Sequence, residues 1–461
     1  MDRGLVAAAL LAVTACGARS ALPEGAATTT GAGGFTGSSS NSSSSSGSSS
    51  SSSGSTSSSS SGAGGGPVSA CPILLPAGEP VTVPAPDGAH DAHDPWLADV
   101  PGVPLVVLTQ RTALESPGPV ADSIAAVRVK PWDAWPPAFD APGEIAYGAQ
   151  PGVPFVAGVN PLTSTLSLFF ARSPTPSAPC DGAAMFGVDP LGFPSPAAFL
   201  VPLPGTCNDT PLFTTTSTGG AHLVAAGGPG FDHPLHTTLL SAGGTPSALD
   251  IPGCAKTPLV GDAVPRGSGF LFVHAAGAPE GCSLSPGVGK ILRVVDFQQD
   301  AGGTVILGVP VVEGADDMVQ AHLLSAPSGG YRVVWRESGA SAEIQPPAMA
   351  GSFSLATFTV GAPFAVTDAG VDRVAVAGFG EGLASVFTTA LDGGGSRLTL
   401  RVFGAVDGVA LAERSIDVPG SIVGRLSVIA SPADGKSVLV TWTEAGSPSR
   451  VVKVARFDCG G

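Results

Sequence analysis

The run Ser431-Pro432-Ala433-Asp434-Gly435-Lys436-Ser437-Val438-Leu439-Val440-Thr441-Trp442 joins a turn to a strand. Asp434-Gly435 is a tight-turn dipeptide. Ser437–Glu444 is dominated by β-branched and aromatic residues, the composition of a strand. Arg450–Asp458 follows as its antiparallel partner, so the segment reads as a hairpin. Paired runs of the same kind recur upstream. Their first members are Val103–Arg111, Val153–Asn160, Ala221–Gly227, Gly269–Ala275, Tyr331–Glu337 and Arg373–Phe379. Their partners are Ile124–Lys130, Thr165–Arg172, His236–Ser241, Lys290–Phe297, a weakly defined Ser341–Met349, and Leu383–Leu391. Seven hairpins thus recur at intervals of roughly 55 residues, with further strand-like runs such as Thr304–Val312 and Leu398–Phe403 between them.

Composition points the same way. Charged residues are 12% of the 461, and Gly (64) and Pro (44) interrupt the chain too often for helices of a dozen residues. The fold class is all-β. Four short strands per unit, repeated about seven times, is the arithmetic of a single β-propeller of about seven four-stranded blades. The competing reading, a string of β-sandwich domains, needs interdomain linkers, and none interrupts Val68–Gly461.

The Ser431–Trp442 turn and strand resemble the S-P-D-G-K turn of TolB/WD40-like propeller blades, with Ala433 as an extra residue. Ser325-Ala326-Pro327-Ser328-Gly329-Gly330, before Tyr331, keeps a trace of it. The likeness is specific over about 14 residues and diffuse elsewhere; it implies a degenerate propeller.

At the other end, the apolar run Leu5–Ala12 leads into Val13-Thr14-Ala15-Cys16-Gly17-Ala18. This resembles a bacterial lipobox, in which the cysteine receives a diacylglycerol. The resemblance implies a signal peptide at 1–15, cleavage before Cys16 and a lipid anchor in the cell envelope, at the outer membrane or cell surface. The apolar run is too short to span a bilayer. Residues 16–67 are then the lipidated cysteine and a Gly/Ser-rich linker, Ser38–Ser61 being nearly pure serine, a composition that predicts disorder. The remaining 68–461 form the repeat domain.

Six cysteines remain once Cys16 is set aside: Cys71, Cys180, Cys207, Cys254, Cys282 and Cys459. An even number in an oxidising compartment reads as three disulfides. Cys71 opens the repeat domain and Cys459 nearly closes it. First and last strands share a blade in a propeller, so Cys71–Cys459 is the expected bridge. Of the three pairings open to the others, Cys180–Cys207 with Cys254–Cys282 is the most local.

The net charge of −15, without a basic cluster, disfavours nucleic acid. The expected partners are the membrane, through lipid at Cys16, and an envelope protein or glycan bound by a monomer. No cofactor motif is present. G-x-S-x-G and H-E-x-x-H are absent, and Gly435-Lys436-Ser437 lacks the first glycine of a Walker loop, Ala430 standing there. Two clusters carry candidate chemistry. His90, Asp91, His93 and Asp94 have the residue types of a divalent-metal site, or form a solvated acidic loop entering the first blade. Trp132 and Trp135 flank a Pro-fixed turn, as a platform for a sugar or Pro-rich peptide, or as packing between blades. Phe231–His236 and Asp316-Asp317 read as surface groups. Two functions compete: a binding or scaffold module, and a propeller hydrolase or lyase acting on polysaccharide.

Overall fold

A computed structural model describes residues 71–460 except 86–89, 101–105, 114–121, 131–133, 152, 154, 161–162, 173–180, 190–198, 204–211, 216–220, 227–232, 242–245, 256–259, 277–288, 301–302, 340–344, 405–407, 431–435 and 447–448. Within strands, the side chains of 90, 181, 184, 186, 199, 201–255, 299–300 and 303–306 also lie outside that description. Cys16, the linker, Trp132, the 431–435 turn and the cysteines at 180, 207 and 282 are therefore outside the described residues, as is the side chain of Cys254.

The chain begins with β1 (Ile73–Pro76) and β2 (Val81–Thr82). A first group follows: β3 (His90–Ala98), β4 (Val106–Ala113), β5 (Asp122–Lys130), β6 (Ala138–Phe139), β7 (Gly143–Ala149), β8 (Val156–Asn160), β9 (Thr165–Arg172), β10 (Asp181–Val188) and β11 (Phe199–Leu203). These nine strands make one sheet, ordered β3-β4-β5-β7-β9-β10-β11. A single pair, Ala149↔Arg172, joins its two halves. Three four-stranded meanders are simpler. They are β12 (Leu212–Thr215) to β15 (Pro246–Ala255) through β13 (Ala221–Ala226) and β14 (His233–Ser241); β16 (Gly261–Arg266) to β19 (Gly303–Glu313) through β17 (Gly269–Ala276) and β18 (Ile291–Asp300); and, later in the chain, β25 (Arg373–Phe379) to β28 (Ala410–Val418) through β26 (Gly382–Ala390) and β27 (Ser396–Phe403). Between the last two lie β20 (Met318–Ser325), β21 (Tyr331–Glu337), β22 (Met349–Ser354), β23 (Thr359–Val360) and β24 (Phe364–Ala365), which form one five-stranded sheet. The final sheet takes β29 (Ile422–Ala430), β30 (Ser437–Glu444) and β31 (Val451–Gly460) from the end of the chain and adds β1 and β2 from its beginning.

Among the described residues every pairing is antiparallel, and the first strands touch in a closed cycle: β3, β8, β12, β16, β20, β25, β29 and back to β3. Sheets standing around a ring with their first strands innermost form a β-propeller. The apolar cores lie between neighbouring sheets. Leu271, Val273 and Leu292 pack on Met318, Leu323 and Val333, and Leu398, Leu400 and Val402 on Val438, Val440 and Phe457. The sequence explains the layering. Middle strands such as β17 (GFLFVHAA) are buried throughout, as a strand covered on both faces must be. Outer β28 (ALAERSIDV) carries charges on its exposed positions, which blunts an open edge.

The expected ring closure is present. β1 pairs with β31 as the outermost strand of the final sheet, Leu74 opposite Cys459, and Cys71 is disulfide-bonded to Cys459 across 388 residues of sequence. Trp335 and Trp442 are buried, 5% and 1% exposed, as core residues in strands.

Candidate functional site

The last sheet meets the first at β29 and β3, and each of these strands breaks its register there. In β3 the bulge falls between His93 and Trp96; in β29 it falls between Val423 and Ser427. Asp94 sits at φ 47° and Gly424 at φ 66°, both left-handed. Asp tolerates this conformation better than most residues. The two bulges face each other: a Cβ on Gly424 would lie 2.6 Å from Asp94 Oδ1. Bulges re-aim side chains, and here they present Trp96 and Arg425 to a cavity of about 580 Å³. That cavity is walled by β3, β8, β16, β20, β25 and β29, the inner strands of the ring.

A polar network holds the two bulges. Asp94 accepts the Arg425 backbone N–H at 2.9 Å through Oδ1 and pairs with His93 Nδ1 at 2.8 Å through Oδ2. Its own N–H donates to Thr443 Oγ1 at 3.1 Å. His93 Nε2 lies 2.9 Å from Thr112 Oγ1 and 3.6 Å from Asp122 Oδ2, the oxygen to which Gln110 donates at 2.7 Å. Burial disfavours the His93 imidazolium, but hydrogen bonds to Asp122 and Asp94, with Asp94's charge, outweigh it and raise its pKa above 6.5. Burial likewise opposes the Asp94 carboxylate; His93 and the Arg425 amide overcome it and hold its pKa below 3.8.

Arg425 stacks over Trp96, its guanidinium carbon 5.1 Å from the ring centroid, with Phe155 at 5.7 Å. The residue keeps partial exposure, yet its Nη1 is closed to solvent and has no hydrogen-bond partner. Burial lowers its pKa to about 10, against the pull of Asp94, so it stays charged at neutral pH. Across the cavity, Asp262 accepts the N–H groups of Ala263 and Leu323 at 2.8 and 3.2 Å, and Gln320 donates to Val374 O at 3.3 Å. Arg373 Nε donates to the carbonyl of Gly424 at 2.8 Å, bracing the β29 bulge.

The sequence-derived sites fare unevenly. His90–Asp94 is strand, not a solvated loop, and Asp91, His93 and Asp94 are buried. Asp91 pairs with Arg450 at 2.6 Å. Among the described residues no group of three His, Cys, Asp or Glu is placed to hold a metal. Trp135 is half-buried against the 77–80 connection and donates to Glu79 O at 3.1 Å, so it packs rather than standing free. Asp317 Oδ1 accepts the Gly289 N–H, a structural contact. Arg425 was not singled out from sequence; its only signal is one Gly-Arg pair inside the apolar run Ile422–Ala430.

No protein-family model matches the chain, and no curated protein does. Among solved structures it is similar to a protein of unknown function from Dyadobacter fermentans, at 13% identity over 84% of this chain and 99% of that one, with a TM-score of 0.48. It is also similar to Hsv2 from Kluyveromyces lactis (12%, 79% and 100%, 0.44). A third is an α-L-arabinofuranosidase from Lactobacillus brevis (11%, 54% and 90%, 0.32). These likenesses lend no function to this chain.

Proposed function

We propose that this chain is a lipoprotein held in the cell envelope through Cys16, and that its propeller has seven blades and serves as a monomeric binding or scaffold module for an envelope protein or glycan. The lipobox resemblance at Val13–Cys16 supports the anchor. The closed cycle of inner strands supports the blade count, with the nine-stranded sheet read as two blades fused at Ala149↔Arg172.

The observation that carries binding over hydrolysis is the state of the cavity wall. Glycoside hydrolysis uses two carboxylates that act on substrate. Of the two carboxylates on the wall, Asp262 and Asp372, the first is engaged by the Ala263 and Leu323 amides and the second acts on the Arg336 guanidinium. The remaining wall is mostly apolar with a few polar groups, the make-up of a binding pocket. The test is incubation of the purified full chain with envelope polysaccharides and peptides, reading bound and released material by mass spectrometry. Retention without product is expected. Product release would replace this reading with a hydrolase or lyase. A Cys16→Ser chain that still partitions into the membrane fraction would remove the anchor.

A further inference from the structure

We infer that Arg425 is the anchor of a carboxylate-binding site in the channel, and that its ligand is a small organic acid with an apolar body. The inference rests on the channel being where the propeller binds. A guanidinium carries five N–H donors, and buried donors in folded proteins are almost always satisfied. Among the described residues the Arg425 side chain donates to no acceptor and has no carboxylate within ion-pair distance; its contacts are the faces of Trp96 and Phe155. Asp94, whose charge acts on it, is engaged by His93 Nδ1 and by the Arg425 amide.

The two rings and the braced bulge hold the guanidinium at the cavity wall before any ligand arrives. Its fork matches a planar carboxylate bidentately, and preorganisation lessens the entropy lost on binding. The apolar part of the wall sets the body of the ligand; Asp262, Asp372 and Arg373 are the wall's charged residues besides Arg425. Leu97, Val156, Ala321, Val376, Leu426 and Val428 line the same cavity. Gln320 Oε1 and His322 Nε2 on β20 are also without hydrogen-bond partners, which leaves one polar corner for a second group. A volume of about 580 Å³ suits a molecule of one or two rings.

Calorimetric titration of the full chain with benzoate, phenylacetate and their amides tests this. The acids should bind about 10–100-fold more tightly than the amides, the span expected of charge-assisted hydrogen bonds. Arg425→Met, which keeps the stem on Trp96, should abolish the difference, and Arg425→Lys should retain only part of it. The acid-to-amide comparison on the unaltered chain stands even if a variant fails to fold. Equal affinity of acid and amide, or sulfate binding as tightly as benzoate, overturns the inference. If neither acid nor amide binds while a polysaccharide or peptide is still retained, the carboxylate site fails and the binding module survives; if nothing binds, both fail.

Discussion

Two seams of the ring share apolar packing and differ in the polar links added to it. Between β16–β19 and β20–β24, Leu271, Val273 and Leu292 pack against Met318, Leu323 and Val333, and one carboxylate, Asp262, reaches across to the Leu323 N–H. Where the two ends of the chain meet, Leu97, Val107 and Val127 pack with Leu439, Val452 and Val454, and a buried polar network through His93, Asp94 and Thr443 is added at β3 and β29. Apolar packing is non-directional, and at the β16–β20 seam a short connection delivers consecutive sheets side by side. The closing seam joins residues more than 300 positions apart in sequence, as in Arg425 N–H to Asp94. Directional hydrogen bonds there fix which residues of β3 and β29 face each other, which non-directional burial alone does not. The same contrast appears in the two described buried histidines: His93, among carboxylates, has a raised pKa, while His274, stacked on Phe272 in β17, is pushed down to about 4.

The largest effect should come from the covalent part of the closing seam. Replacing Cys71 and Cys459 by Ser frees a loop of 388 residues, and the chain-entropy model gives a loss on the order of 5 kcal/mol. Denaturant unfolding of this variant against the parent measures it. A loss below about 1 kcal/mol would mean that the network and β1–β31 pairing close the ring without the bridge.

Leu323→Ala attacks the other seam. Leu323 is 1% exposed within the apolar cluster, and truncation should cost about 2–5 kcal/mol. The loss should be the same at pH 5 and pH 8, because the deleted methyls lie in an apolar cluster whose one titrating member, Tyr331, ionises above that range. A pH-dependent loss would show that Asp262, which accepts the Leu323 N–H, is coupled to the packing.

His274 gives the apolar region its own pH response. Burial, against the Ala275 carbonyl and with the Arg293 charge, lowers its pKa from 6.5 to about 4. The unfolded chain therefore binds a proton that the folded chain excludes, and stability falls as pH drops from 6.5 to about 4. The full loss is on the order of 3 kcal/mol. His274→Leu should flatten that slope. An unchanged slope would move the acid sensitivity elsewhere.

The fold was legible and the site was not, for a common reason. Strand signals are local. Thr165–Arg172, Tyr331–Glu337 and Arg373–Phe379 were read with the boundaries they have, because β-branched runs between Gly and Pro need no partner to be seen. The uneven hairpin spacing also becomes clear: the Val153 and Arg373 hairpins are first and second strands of their meanders, whereas the others are second and third. Ser341–Met349 was misplaced, since its strand, β22, starts at Met349 and runs to Ser354. His90–Asp94 looked like a loop because its partners Arg450, Thr443 and Arg425 lie at the far end of the chain. No window of sequence around residue 93 contains them. Arg425 escaped for the converse reason, a single cation in an apolar strand whose bulge depends on β3.

The smallest expected effect sharpens the comparison most. Gly424→Ala places a Cβ at φ 66°, 2.6 Å from Asp94 Oδ1. Left-handed strain alone costs about 1–2 kcal/mol, and Asp94 must retreat or β29 must shift. Either movement loosens the contacts that raise the His93 pKa. That elevation stabilises the fold fully below pH 6.5, and the contribution is lost as pH rises through the folded value. Gly424→Ala should therefore destabilise the chain more at pH 6 than at pH 9, opposite in sign to the His274 response. An NMR titration of the His93 ring should show its pKa falling toward 6.5. A uniform loss with the His93 titration unmoved would mean that the bulges meet sterically but not electrostatically, leaving the network to hold β3 without reading the position of β29.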